Sequence, residues 1–200
     1  MTGRLIAFEG GEAVGKSTQA RLLAERLDAR LTFEPGATEL GARIRSLVLD
    51  AVDLPVSPRA EALLMAADRA QHVDEVIRPA LEAGTDVVTD RYIGSSLAYQ
   101  GFGRSLGVEE ILALSLFATG GLRPALVVLL EVSDEVALSR QKTPGDRIEA
   151  EAAEFHRRVV DGYRTLAEHN PDQWVVIDGD RPVGEVAEAV YAAVQERVGV

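Results

Sequence analysis

Nine residues constrain this chain more than any others. Gly10-Gly11-Glu12-Ala13-Val14-Gly15-Lys16-Ser17-Thr18 matches the pattern G-x-x-x-x-G-K-[ST], with Gly10, Gly15, Lys16 and Ser17 at its four fixed positions. The run before it, Arg4 to Glu9, is short and apolar, as a buried strand is. The run after it, Gln19 to Leu27, is apolar at helical spacing. A strand, this loop and the start of a helix form the setting in which the pattern binds phosphate. Glycines let backbone N–H groups turn inward and approach phosphate oxygens without a Cβ in the way. The helix that follows aims its positive end at the same place. Lys16 adds a mobile cation for the β- and γ-phosphates, and Ser17 a hydroxyl for Mg²⁺. The alternative reading of these residues is a plain glycine turn between strand and helix.

The rest of the chain repeats that alternation. Strand-like apolar runs recur at 29–33, 86–90, 125–132 and 174–177, with helical patterns between them. The longest helical pattern covers about 59–82, and its expected buried stripe is Leu63, Leu64, Ala67, Ala70, Val73 and Ile77. Pro79 is expected to kink or end it, and Gly84 to cap it. The run Ala125 to Val132 is apolar without alternation, as befits a central parallel strand covered on both faces. Alternating β and α units with no internal repeat give an α/β fold. The expectation is a three-layer P-loop NTPase fold, a five-stranded parallel sheet flanked by helices, in a single domain over 1–200.

Composition narrows the function. The 200 residues are 46% hydrophobic and 26% charged, which is ordinary for a globular domain with a substantial core. No run approaches a membrane-spanning length of apolar residues, and the first strand begins within a few residues of Met1, so neither a membrane partner nor a signal peptide is expected. Without Cys there is no disulfide and no thiolate zinc site. The expected compartment is the cytoplasm. A net charge of −11 argues against a surface that tracks nucleic-acid phosphates. In so acidic a chain, arginines gathered near the phosphate loop become candidate ligands.

Two further stretches carry chemistry. Asp90-Arg91-Tyr92 ends a hydrophobic strand in a carboxylate, the position from which Asp90 can hold Mg²⁺ or its water. Arg91 follows at the C-terminal edge of the sheet, where open α/β folds bind ligands. The bland alternative is a salt bridge at a strand end. From Arg140 to Glu149, two arginines and a lysine lie on a Pro-Gly segment between helices. That arrangement suits a lid over 140–149 that closes cations onto a transferring phosphoryl group, and its bland alternative is a solvated charged loop.

Together these residues resemble the thymidylate kinase family of the bacterial kind. The resemblance covers essentially the whole chain: Glu9-Gly10-Gly11-Glu12 before Gly15-Lys16-Ser17-Thr18, Glu34-Pro35-Gly36-Ala37-Thr38, the helix from Glu61 to His72, Asp90 to Gly101, and Asp146-Arg147-Ile148-Glu149. It implies transfer of the γ-phosphoryl group of ATP to dTMP, with Mg²⁺ as the metal and a homodimer packed through helices. Arg91 and Arg45 would hold the acceptor phosphate. Arg69 would bond the thymine carbonyl, and Gln100 with Ser96, beside Ser95, would read the rest of the base edge. Tyr99 would wall the sugar, and Glu12 would lie near sugar and phosphate. Lys16 and the lid cations Arg140 and Arg147 would complete the catalytic set, with Arg140 the first choice. Three positions depart from the family's usual residues: Phe33 stands for an Arg, Met65 for an aromatic that stacks on the base, and Ala13 for a glycine of the loop.

Two other classes fit parts of the sequence. One is a different nucleoside monophosphate or nucleoside kinase of the same fold; a deoxynucleoside acceptor needs a carboxylate that deprotonates a sugar hydroxyl, for which Glu9 or Glu12 is available. A non-catalytic nucleotide switch needs no basic lid, and the Asn-Lys-x-Asp signature of guanine readers is absent. The three histidines, His72, His156 and His169, are expected to be structural or on the surface.

Overall fold

A computed structural model describes residues 3–51, 54–140 and 146–199. Strand β1 (Leu5–Glu9) lies at the centre, with β3 (Val87–Asp90) on one side and β4 (Leu126–Glu131) on the other. Strands β2 (Arg30–Phe33) and β5 (Trp174–Asp178) form the two edges, giving the order β2-β3-β1-β4-β5 with every pair parallel. The expected five-stranded parallel sheet is what the described residues form.

Period-two alternation explains why β1 is buried throughout. Leu5 and Ala7 face a layer built around Val48, Ala62, Val73, Phe155 and Tyr163. Ile6 and Phe8 face the opposite layer, where Ala20, Leu23, Val186 and Val190 pack. Helices α1 (Lys16–Leu27) and α9 (Val183–Val198) form that second layer. The first layer is larger. It contains α2 (Glu39–Arg45), α3 (Pro58–His72), α4 (Arg78–Glu82), α5 (Ile93–Ser96), α6 (Val108–Thr119) and α8 (Ala153–His169). The short α7 (Asp134–Arg140) follows β4, and its first turn receives a side-chain bond from Val136 N–H to Ser133 Oγ.

The long helical pattern at 59–82 is continuous but not uniform. A single π-helical turn, Val73–Ile77, joins α3 to α4 just ahead of Pro79. Pro79 offers no N–H to the ladder, and the wider turn precedes it with Arg78 N–H reaching back to Val73 O. Gly84 closes the helix at φ 83°, its N–H on Leu81 O.

Of the expected stripe, Val73 and Ile77 are fully buried and Leu64 packs against the core, but the rest of α3 departs from it. Leu63 is 59% exposed and Ala67 is exposed, while Glu61, Asp68, Arg69 and His72 are buried. The helix is rotated so that a polar face points inward, because that face lines the site. The lid residues 141–145 lie outside the described residues, and with them the expectation that this segment moves.

Candidate active site

Parallel pairing decides where the chemistry gathers. Phe8 pairs with Asp90 on one side and Val128 on the other, so the carboxyl ends of β1 and β3 stop together. The glycine loop leaves β1 there and turns into α1. Gly10 takes φ 140°, and a Cβ on it would sit 2.5 Å from Leu130 O, so only glycine fits. Gly15 takes φ 99° as the N-cap of α1. Ala13, the residue standing for a family glycine, is held at φ 56°, in the left-handed region that L residues occupy at a cost of ~1–2 kcal/mol. Val14 is buried and anchors the loop in the α1–α9 layer, while Gly11 lies at the mouth with its carbonyl oxygen turned to Lys16. Lys16 is buried and its Nζ donates to Gly11 O at 2.5 Å. Ser17 and Thr18 are exposed on the first turn of α1.

Arg91 bridges that loop to the rest of the site. Its backbone is in the left-handed region, φ 71°, with Thr89 Oγ1 donating to its carbonyl at 2.9 Å. Strain of this kind in a bulky residue gathers where geometry is fixed for a purpose. Its guanidinium donates to Glu12 Oε1 at 2.5 Å, to Gly10 O at 3.2 Å and to Ser95 Oγ at 3.2 Å. Tyr99 donates to the same Glu12 oxygen at 2.6 Å. Burial opposes ionisation of Glu12, but Arg91 and Lys16 outweigh it and hold its pKa at about 2. Burial, followed by repulsion from Arg91, brings Lys16 down to about 8.

Behind Arg91 lies Glu9, wholly buried. It accepts from Tyr92 N–H at 3.0 Å, Ser95 Oγ at 2.6 Å and Tyr163 Oη at 3.1 Å. Burial raises its pKa against those donors. It has no route to a sugar hydroxyl.

A pocket opens from Glu12 and Arg91 towards α3. Arg45, Met65, Arg69, Ser95, Ser96, Tyr99 and Gln100 all line it, so the structure brings together every residue expected around the acceptor. Arg69 is buried and held from all sides: Nε on Glu34 at 2.8 Å, Nη1 on Ser96 at 2.9 Å and Ser115 at 3.4 Å, Nη2 on Tyr92 O at 2.9 Å. Glu34 also meets His72 Nδ1 at 2.9 Å, while Thr32 meets His72 Nε2 at 2.6 Å, which makes that histidine structural. Asp68 accepts Gly36 N–H at 2.9 Å. Its burial and the neighbouring Glu34 lift its pKa to about 6. Phe33 is 46% exposed at the end of β2, outside the pocket lining.

The two lid cations part company. Arg140 donates to Gly179 O at 3.0 Å, on the strand end beside Val14 of the loop. Arg147 instead donates to Val48 O at 2.7 Å and Glu61 Oε2 at 2.5 Å, on the α3 side. It is not brought to the phosphate loop.

Sequence reasoning assigned no role to Glu34, Glu61, Asp68, Arg104 or Tyr163. A signal existed for two of them. Glu61 and Asp68 lie seven apart on α3, on the face that also carries Met65, Arg69 and His72, so a polar stripe ran at helical spacing beside the apolar one.

Ser17 Oγ donates to Asp90 Oδ2 at 2.5 Å, and Asp90 Oδ1 is buried with no partner among the described residues. A buried oxygen left without a donor, beside a hydroxyl and a phosphate loop, fits Mg²⁺, which takes one or two carboxylates and leaves its other positions to water and phosphate.

A parallel β1–loop–α1 unit with a carboxylate at the tip of the adjacent strand defines the P-loop NTPase class. The comparisons carry this further. The thymidylate kinase family model matches residues 8–190. Thymidylate kinase of Synechococcus sp. is 48% identical over 198 residues, 96% of each chain, and that of Clavibacter michiganensis subsp. michiganensis is 47% identical over 203 residues, 98% of this chain and 96% of its own. The crystal structure of thymidylate kinase from Ehrlichia chaffeensis superposes with a TM-score of 0.82 at 29% identity, over 98% of this chain and 100% of its own. This chain belongs to the thymidylate kinase family.

Proposed function

We propose that the chain transfers the γ-phosphoryl group of ATP to dTMP, giving dTDP and ADP. One observation carries the reading: Arg91, bonded to Glu12 and Gly10 of the loop, lines one pocket with Arg45, Arg69 and Gln100. The loop N–H groups and Lys16 hold the donor phosphates. Arg91 and Arg45 hold the acceptor phosphate in line with them, while Tyr99 and Met65 confine the sugar and base. Ser17 and Asp90 would hold Mg²⁺, which would supply neutralising positive charge beside the phosphates. Arg140, released from Gly179, closes onto the transferring group.

The acceptor oxygen is already ionised, so positioning and charge neutralisation suffice. Glu12 is engaged by Arg91 and Tyr99, both on its Oε1. Glu9 is walled off by its three donors. Both facts weigh against a nucleoside as acceptor.

We also propose a homodimer through α3 and α6. These helices pack side by side, and they expose Leu63 at 59% and Phe117 at 87%. Apolar side chains so bare on neighbouring helices fit a second copy of the chain. A reaction that draws on ATP and deoxynucleotide pools, in a chain without Cys, belongs in the cytoplasm.

The test is ADP release against a panel of nucleoside monophosphates and nucleosides at saturating ATP and Mg²⁺. dTMP is expected to give the highest kcat/KM, and thymidine no more than background. Equal turnover of thymidine would overturn the reading.

A further inference from the structure

We infer that Glu61 is a positioning residue that fixes the hydrogen-bonding polarity of the base pocket by holding the Gln100 side-chain amide in one orientation. The inference rests on the base of the proposed acceptor lying against Gln100. Glu61 sits on the inward face of α3 and is wholly buried. Its Oε1 accepts from Gln100 Nε2 at 3.0 Å and Arg104 Nε at 3.1 Å, and its Oε2 accepts from Arg104 Nη2 at 2.9 Å and Arg147 Nη2 at 2.5 Å. Burial alone would raise its pKa, but the bonds from Arg104, Gln100 and Arg147 outweigh burial and hold it below the usual carboxylate range. An ionised carboxylate only accepts.

The consequence for Gln100 is strict. An amide beside an acceptor-only group must turn its NH₂ towards it, because the opposite orientation sets oxygen against oxygen. The carbonyl oxygen of Gln100 is then left over, with no partner among the described residues, in a side chain that lines the pocket. Arg69 contributes the complementary polarity, since it can only donate, and its described bonds use four of its five N–H groups. Both side chains line the pocket, and a donor and an acceptor there match the O4 and N3–H of thymine. Cytosine presents an amino group and a bare N3 at those places, which sets donor against donor and acceptor against acceptor. Glu61, with Gln100 on Oε1 and Arg147 on Oε2, thus ties the end of the lid segment to the residue that decides the base.

The substitution Glu61→Gln reverses the logic without changing the shape. Two guanidinium donors, Arg104 Nη2 and Arg147 Nη2, meet at the Oε2 position, so the carbonyl oxygen of the new amide stays there; its NH₂ takes the Oε1 position, where Arg104 Nε loses its acceptor and Gln100 meets a donor. Gln100 must then flip, placing its own NH₂ in the pocket. Adding Gln100→Glu restores an acceptor there and keeps the net charge of the Glu61–Gln100 pair.

The experiment measures dissociation constants of dTMP and dCMP by calorimetry, with kcat for dTMP alongside, for the wild type, Glu61→Gln and Glu61→Gln/Gln100→Glu. Glu61→Gln is expected to lower the preference for dTMP over dCMP by at least about tenfold, the change lying in binding while kcat at saturating dTMP stays within about threefold. The double variant is expected to return the preference to within about threefold of wild type. A smaller fall in the single variant, or a double variant that stays as low, would overturn the inference. If Glu61→Gln is not folded by circular dichroism, the double variant is compared with Gln100→Leu. A preference near wild type in the former and lost in the latter supports the inference, and a preference lost in both overturns it. A wild type that prefers dTMP in binding yet transfers no phosphoryl group would count against the proposed reaction and leave the role of Glu61 standing.

Discussion

Lys16 and Glu12 show how one buried corner sets opposite titrations. Glu12 lies below its ordinary value, at about 2, so the stability it contributes is complete above 4.5 and is lost as pH falls towards 2. Lys16 is also lowered, from 10.5 to about 8, so its charged form costs the free protein stability below pH 8, and that cost fades as pH rises towards 10.5. Phosphate oxygens brought against Lys16 restore its proton. Nucleotide binding between those two values must therefore take up protons, and affinity must fall as pH rises through that window. Calorimetry of ATP binding at about pH 8.5, just above the lowered lysine value, in buffers of different ionisation enthalpy is expected to show net uptake, shrinking towards about pH 7. Uptake that is unchanged in Lys16→Ala would mean another group supplies it.

Among the elements, the regular parts were legible from sequence and the polar face of α3 was not. The glycine loop, the five parallel strands and the carboxylate tip of β3 follow from period-two burial and from glycines that no other residue replaces at Gly10. The inward turn of Glu61, Asp68 and Arg69 does not. An apolar stripe of Leu63 and Ala67 satisfies the same helical period, and only the partners supplied by β2, α5 and α6 decide which face goes in. The lid shows the same limit. The sequence ranks Arg140 ahead of Arg147 but places both on the lid, whereas one rests beside the loop and the other is bound to Glu61. Arg140→Ala is expected to lower kcat at least about tenfold with little change in the KM of either nucleotide, as for an interaction made only in the transition state. Arg147→Ala should instead raise the KM for dTMP, because it loosens Glu61. Steady-state kinetics of both variants separates the two, and a kcat effect confined to Arg147 would reverse the assignment.

At the scale of the whole molecule, a chain of net charge −11 sets Arg45, Arg69 and Arg91 in one cleft and bares Leu63 and Phe117 on a pair of helices. In the proposed reading the cleft serves phosphate, and the helices serve a second copy. Phe117→Glu places a charge where the proposed partner would bury a ring, so it is expected to shift the protein to monomer in sedimentation while leaving the nucleotide cleft intact. A wild type that sediments as a monomer at micromolar concentration would remove the need for a partner surface. The claim on which all of this depends is that the acceptor is a phosphate already held beside the loop. It is tested most directly by incubating the protein with ATP labelled in its γ-phosphate, Mg²⁺ and either dTMP or thymidine, and following the label. The expected result is dTDP carrying the label in its terminal phosphate, formed in equal amount with ADP, and no labelled product from thymidine. Label appearing in dTMP made from thymidine, or released only as inorganic phosphate, would contradict it.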